Sequence, residues 1–275
     1  MMPSAPYGLP EPPDPADQPA YEGARPTLVR MRRRRRRSLL FGVLLLATAI
    51  GVTVSRSGEA PVEAPATTQG GMGHGGGLGA HPEPTVYPSV GAGRFTAADG
   101  ETPVHGEDGP LRRYRVVVER GTGQDAAAFA ARVDAVLTDP RSWIASGELR
   151  IRRVADAGAA DFTIYLATPV TSERMCAEGG LTTERYTSCR LPGQVIINLA
   201  RWQEAVPDYG APLETYRTYV INHEVGHEFG EQHEACPGPG EPAPVMQQQT
   251  YGLRGCVANA WPYLDGRRYS GDIVP

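Results

Sequence analysis

The sequence predicts an α+β fold: one twisted mixed sheet, then a long central helix, then a proline- and glycine-rich subdomain. Three observations predict it. Short apolar stretches of strand pattern recur between Arg113 and Leu199. A helical stripe runs through 213–229. Of six histidines, the only three after His105 are gathered in HEVGHEFGEQHEAC, as His223, His227 and His233.

The chain has 275 residues and a formal net charge of -4. Residues 1–29 are crowded with proline and acidic residues and lack apolar periodicity, so they predict a disordered cytoplasmic tail. Arginines fill most of 30–37 and abut 38–55, SLLFGVLLLATAIGVTVS, which carries no charge. That pairing predicts a topology signal and a single-pass transmembrane anchor, with the amino terminus in the cytoplasm and the rest outside. The span exceeds an ordinary signal-peptide core and lacks a clean cleavage site, so it is expected to be retained.

Residues 56–91 are rich in Gly, Pro, Ala and Thr and read as a flexible linker, with His74 and His81 inside it. The folded domain is expected over 92–275. No strongly basic stretch follows the span, which excludes a nucleic-acid partner. Cys176, Cys189, Cys236 and Cys256 are even in number and spaced too widely for a paired-knuckle zinc site, so they predict disulfides.

Within the domain, RYRVVVE alternates, with Tyr114, Val116 and Val118 on one face of a strand. Asp125 caps a helix in which Phe129, Val133, Val136 and Leu137 recur at helical spacing. Strands follow at 150–154 and 162–166, and VIINL at 195–199 is a continuous apolar run suited to a buried strand. Glu184 to Cys189, ERYTSC, is read as a short edge strand. Past Pro212, residues 213–229 form one helix: Tyr216, Val220, His223 and His227 share one stripe, and Ile221, Val225 and Phe229 another. Apolar stripes on two faces place that helix centrally.

His223 and His227, four residues apart, lie one above the other on that helix and can ligate one ion. A third ligand requires the chain to turn back. Gly230 is placed to end the helix in a left-handed conformation and bring in His233. Three neutral imidazoles leave a zinc ion its double charge and an open position for water, and Glu224 can act as general base on that water. At this chain's composition, H-E-x-x-H-x-x-G-x-x-H arises by chance in roughly a few per 10⁵ chains of this length.

HEVGHEFGEQH resembles the signature of the metzincin clan of zinc metallopeptidases. The resemblance implies one zinc ion on His223, His227 and His233, Glu224 as catalytic residue, and a methionine turn beneath the site, placed at Met246 in PAPVMQQQT. It also implies an antiparallel edge strand that pairs with an extended peptide or protein substrate outside the membrane, with ERYTSC as that edge. RRYRVVVE, DPRSW, ADFTIYL, VIINLARW, NHEVGHEFG and CPGPGEPAPVMQQQT, across 93–263, are similar to an actinobacterial metzincin-like domain family of unassigned function.

The position two residues after the methionine, a tyrosine in some metzincins, is Gln248, with Tyr251 nearby. Cys236 and Cys256 bracket the expected turn. Of the three possible connectivities, pairing of sequence neighbours is chosen, which also joins Cys176 to Cys189. Two other functions use the same residues: a non-catalytic, zinc-stabilised surface binding module, and a zinc hydrolase of non-peptide amides.

Overall fold

The computed structural model describes residues 86–274. The expected tail 1–29, basic run 30–37, apolar span 38–55 and linker up to residue 85, with His74 and His81, lie outside the described residues. Among the described residues no helix is long and apolar enough to cross a membrane. The longest has 16 residues, Leu213–Glu228. At 1.5 Å per residue that is about 24 Å, against a hydrocarbon core about 30 Å thick. It also carries Glu214, Arg217, Glu224 and Glu228. The expectation of a single-pass membrane protein, with the domain outside the membrane, is corrected accordingly.

The fold is mixed α+β. In chain order the elements are β1 (Phe95–Ala97), β2 (Leu111–Glu119), α1 (Ala126–Leu137), β3 (Arg150–Arg153), β4 (Phe162–Ala167), α2 (Pro169–Ala177), β5 (Cys189–Leu191) and β6 (Gln194–Asn198). They continue with α3 (Leu199–Glu204), α4 (Leu213–Glu228), β7 (Tyr263–Leu264) and β8 (Arg267–Arg268). The six-stranded sheet runs β1-β2-β4-β6-β5, with β3 also paired to β2. β2, β4 and β6 are parallel, and β1 and β5 are antiparallel to their neighbours. β3 pairs with β2 at Leu111 to Tyr114 and β1 at Val117 to Glu119, so the two short strands share one edge of β2.

Alternation sorts the sheet into two faces. Tyr114, Val116 and Val118 of β2, Ile164 and Leu166 of β4, and Val195 and Ile197 of β6 share the main core with α1 and α4. Ala167 and Ile196 point the other way, into a smaller core with Met175 and Cys176 of α2 and Cys189 and Leu191 of β5. The strand expected at 195–199 ends one residue early. Asn198 turns the chain and caps α3, its side-chain oxygen accepting from the Ala200 N–H at 2.9 Å.

ERYTSC is not a strand except at its last residue. Glu184 and Arg185 have φ of 54° and 58°, a left-handed pair no extended strand accommodates, and the edge strand begins only at Cys189. Two disulfides form, Cys176–Cys189 between α2 and β5, and Cys236–Cys256 around the loop that follows α4. Residues 87–89 of the expected linker contact the domain, where the Tyr87 hydroxyl donates to Glu204 and the Val170 N–H to the Ser89 carbonyl.

Candidate metal centre

α4 crosses the β6 end of the sheet, and eleven of its sixteen residues are buried, among them His223 and Glu224. It ends in a Schellman turn. Gly230 has φ of +95°, its N–H donates to the His227 carbonyl at 3.1 Å, and the Glu231 N–H donates to the Gly226 carbonyl at 3.0 Å. The chain then doubles back, and His233 returns to the helix.

The same turn orients a ligand. Nδ1–H of His227 donates to the Glu231 carbonyl at 2.9 Å, and Nδ1–H of His223 donates to the Val245 carbonyl at 2.8 Å. Both rings therefore direct an unprotonated Nε2 inward, the arrangement in which metal-binding imidazoles are held by their outer nitrogens. Nε2 of His227 lies 3.1 Å from Nε2 of His233, and one nitrogen from each of the three rings falls within 4.8 Å of the others. Tetrahedral nitrogens about 2.0 to 2.1 Å from an ion are about 3.3 Å apart. The donor set fits one divalent ion of borderline softness.

Burial keeps these imidazoles neutral. It holds His223 well below the usual histidine range, lowers His227, and takes His233 to about 4, with the neighbouring His227 ring adding to the effect at His233. Glu224 is 6% exposed, and burial pushes its carboxyl up to about 8. All four side chains line a cleft of about 500 Å³. Its walls include β5 through Cys189 and Arg190, the turn before it through Thr187 and Ser188, and Gln248, Thr250 and Tyr251 beyond the buried methionine. Tyr251 is exposed at the rim.

Met246 is wholly buried in a turn over 244–247, closed by the Gln247 N–H on the Pro244 carbonyl at 2.9 Å. Tyr219 of α4 holds that turn, its hydroxyl donating to the Gln247 carbonyl and accepting from the Gln249 N–H. Sequence reasoning missed what lies opposite. A Cβ on Gly226, between the two helical histidines, would stand 2.6 Å from the Met246 sulfur and 2.6 Å from Trp143 Cζ2. Helix and turn thus meet where no side chain fits.

Two further features escaped it. Glu228, next to His227 and buried, pairs with Arg112 of β2 at 2.9 Å and Arg190 of β5 at 2.7 Å. The end of α4 is thereby tied to both β2 and the cleft's edge strand. Asn222, next to His223, accepts from the Ser142 hydroxyl at 2.8 Å and donates to the Ala260 carbonyl at 2.9 Å. The Trp143 indole N–H donates to the Asn222 carbonyl. DPRSW was a signal in plain view, but nothing in it named Asn222 as its partner.

A family model described as "Protein of unknown function (DUF3152)" matches residues 81–260, more than half of the chain. The chain belongs to this family. No curated protein and no solved structure matches it. The DUF3152 match spans the three histidines, Glu224, Gly230, Met246 and all four cysteines, and ends before β7 and β8.

Proposed function

We propose that this protein is a zinc-dependent metallopeptidase of metzincin type that hydrolyses peptide bonds. One observation carries the reading: three inward-facing imidazole nitrogens and a buried, cleft-facing carboxyl, Glu224, meet on the wall of a single cleft. His223, His227 and His233 would hold the ion through Nε2. When bound, zinc supplies a Lewis acid that activates water and polarises a carbonyl. In this reading 213–228 is the active-site helix and the buried turn at Met246 is the methionine turn.

Glu224 is the residue that moves the proton. Its carboxylate accepts a proton from water as the oxygen attacks the scissile carbonyl carbon. It returns that proton to the leaving nitrogen as the C–N bond breaks. β5, the antiparallel edge of the sheet, borders the cleft and would bind the substrate backbone by strand addition. Gln248 and Tyr251, both at the cleft, would be candidates to assist the metal at the developing oxyanion.

The test compares the native protein with Glu224→Gln for zinc content and for cleavage of a mixed peptide library. One zinc in each and cleavage by the native protein alone is the expected result. Zinc in both with cleavage by neither would overturn the peptidase reading in favour of a binding module or a hydrolase of other amides.

A further inference from the structure

We infer that Arg268, on β8, is a positioning residue for the third metal ligand, and that residues 267–274 form part of the metal site. This rests on the metal reading above. His223 and His227 are each aimed by a backbone carbonyl on Nδ1, whereas His233 has no such partner among the described residues. Its direction depends on the loop that carries it.

That loop is held from the carboxyl-terminal side. Arg268 Nη2 lies 2.8 Å from Glu234 Oε1 and 3.2 Å from Glu231 Oε2, the two carboxylates that flank His233. The Glu234 side chain is 3% exposed, and among the described residues Arg268 is its cationic partner, which offsets the cost of burying it. The guanidinium also lies over the Trp143 ring, 5.1 Å from its centroid, and Trp143 is the indole packed against Gly226 between the other two ligands. One side chain therefore spans from the return loop to the helix.

The backbone repeats the arrangement. The Val274 N–H donates to the His233 carbonyl at 3.0 Å, the Ala235 N–H to the Asp272 carbonyl at 2.8 Å, and Glu234 and Ile273 form an antiparallel bridge. On the other side, the Glu234 N–H donates to the Met246 carbonyl at 3.1 Å. His233 thus sits between the buried methionine turn and the segment 272–274, which lies beyond the family match. With two carboxylates around it, the arginine brings no uncompensated positive charge to a cation site.

The experiment is zinc affinity by chelator competition on the full chain, for the native protein, Arg268→Ala, Arg268→Lys, His233→Ala and the double variant. Thermal melting of each metal-free protein runs in parallel. Arg268→Ala is expected to weaken zinc binding by ~10- to 100-fold, the usual effect of removing an outer partner of a metal ligand. Arg268→Lys should lose part of that, because it keeps the charge without the planar fork.

Arg268→Ala should cost no further affinity once His233 is alanine, since both then remove the same interaction. With cobalt(II) in place of zinc, Arg268→Ala should shift the visible spectrum away from the native one without reaching that of His233→Ala, which has lost a ligand. A folded Arg268→Ala, or Arg268→Lys if alanine does not fold, with native zinc affinity would overturn this inference and leave the metal reading standing. A native protein that takes up no zinc would overturn both.

Discussion

Glu224 lines the cleft at 6% exposure and makes no side-chain hydrogen bond among the described residues, beside histidines that burial keeps neutral, and this gives the metal-free protein a calculable stability signature. Its carboxyl has a pKa of about 8 in the fold against about 4.5 for a free glutamate side chain. A folded-state pKa above the unfolded one means the contribution to stability is complete below about 4.5 and is lost as pH rises through about 8. At 1.36 kcal/mol per unit, the native carboxyl costs about 1 kcal/mol at pH 5 and about 4 kcal/mol at pH 8. Glu224→Gln has similar volume and no charge to lose, and it leaves the histidines untouched, so their titration cancels in the comparison. The amide's own burial cost is the same at both pH values. The advantage of the variant should therefore grow by about 3 kcal/mol from pH 5 to pH 8. Urea unfolding of both chelator-treated proteins at the two pH values measures it. A difference that does not change with pH would show that Glu224 is ionised in the metal-free fold.

Three other outcomes follow from the same geometry. Gly226→Ala should lower stability by about 1 to 3 kcal/mol, because the added methyl meets the indole of Trp143 as well as the pliable Met246; urea unfolding reads it directly. Glu228→Ala should cost about 2 kcal/mol and Arg190→Ala about 1, since Glu228 is the buried centre of the clamp and Arg190 its partly exposed arm; equal losses would contradict that ranking. The metal-free protein should lose stability as pH falls from 6.5 toward 4. His223, His227 and His233 have folded pKa values below the unfolded one, so the unfolded chain takes up more protons there; added zinc, which keeps protons off the native imidazoles, should raise stability at neutral pH and steepen its loss on acidification.

What the sequence made legible follows physical range. β2, β4 and β6 were readable because alternation and continuous apolar runs report which faces are buried, and Asp125 announced α1 because a cap acts within three residues. The mixed α+β class follows from those elements. α2 was missed because it is nine residues long and buries Thr171 and Ser172 beside Met175 and Cys176, so no apolar stripe marks it. The three histidines could be grouped because a helix and one glycine set their spacing. Gly226, Glu228 and Arg268 could not, since each matters through a partner distant in sequence: Met246 and Trp143 for the first, Arg112 and Arg190 for the second, Glu231 and Glu234 for the third. The membrane expectation rested on an uncharged apolar run and the arginines beside it, both outside the described residues, and no described helix supports it.

The way the sheet is bounded bears on how the domain behaves at high concentration. β1 has three residues, β3 four and β5 three, so each side of the sheet ends in a broken border. β3 is additionally covered by 102–105, where the Thr102 and His105 N–H groups donate to the Arg153 and Ile151 carbonyls. β5 is flanked by the left-handed pair at Glu184 and Arg185 and tethered through Cys189. A row of unpaired backbone groups recruits neighbouring chains only when it is long and flat. At three residues, β5 is too short to template fibre growth.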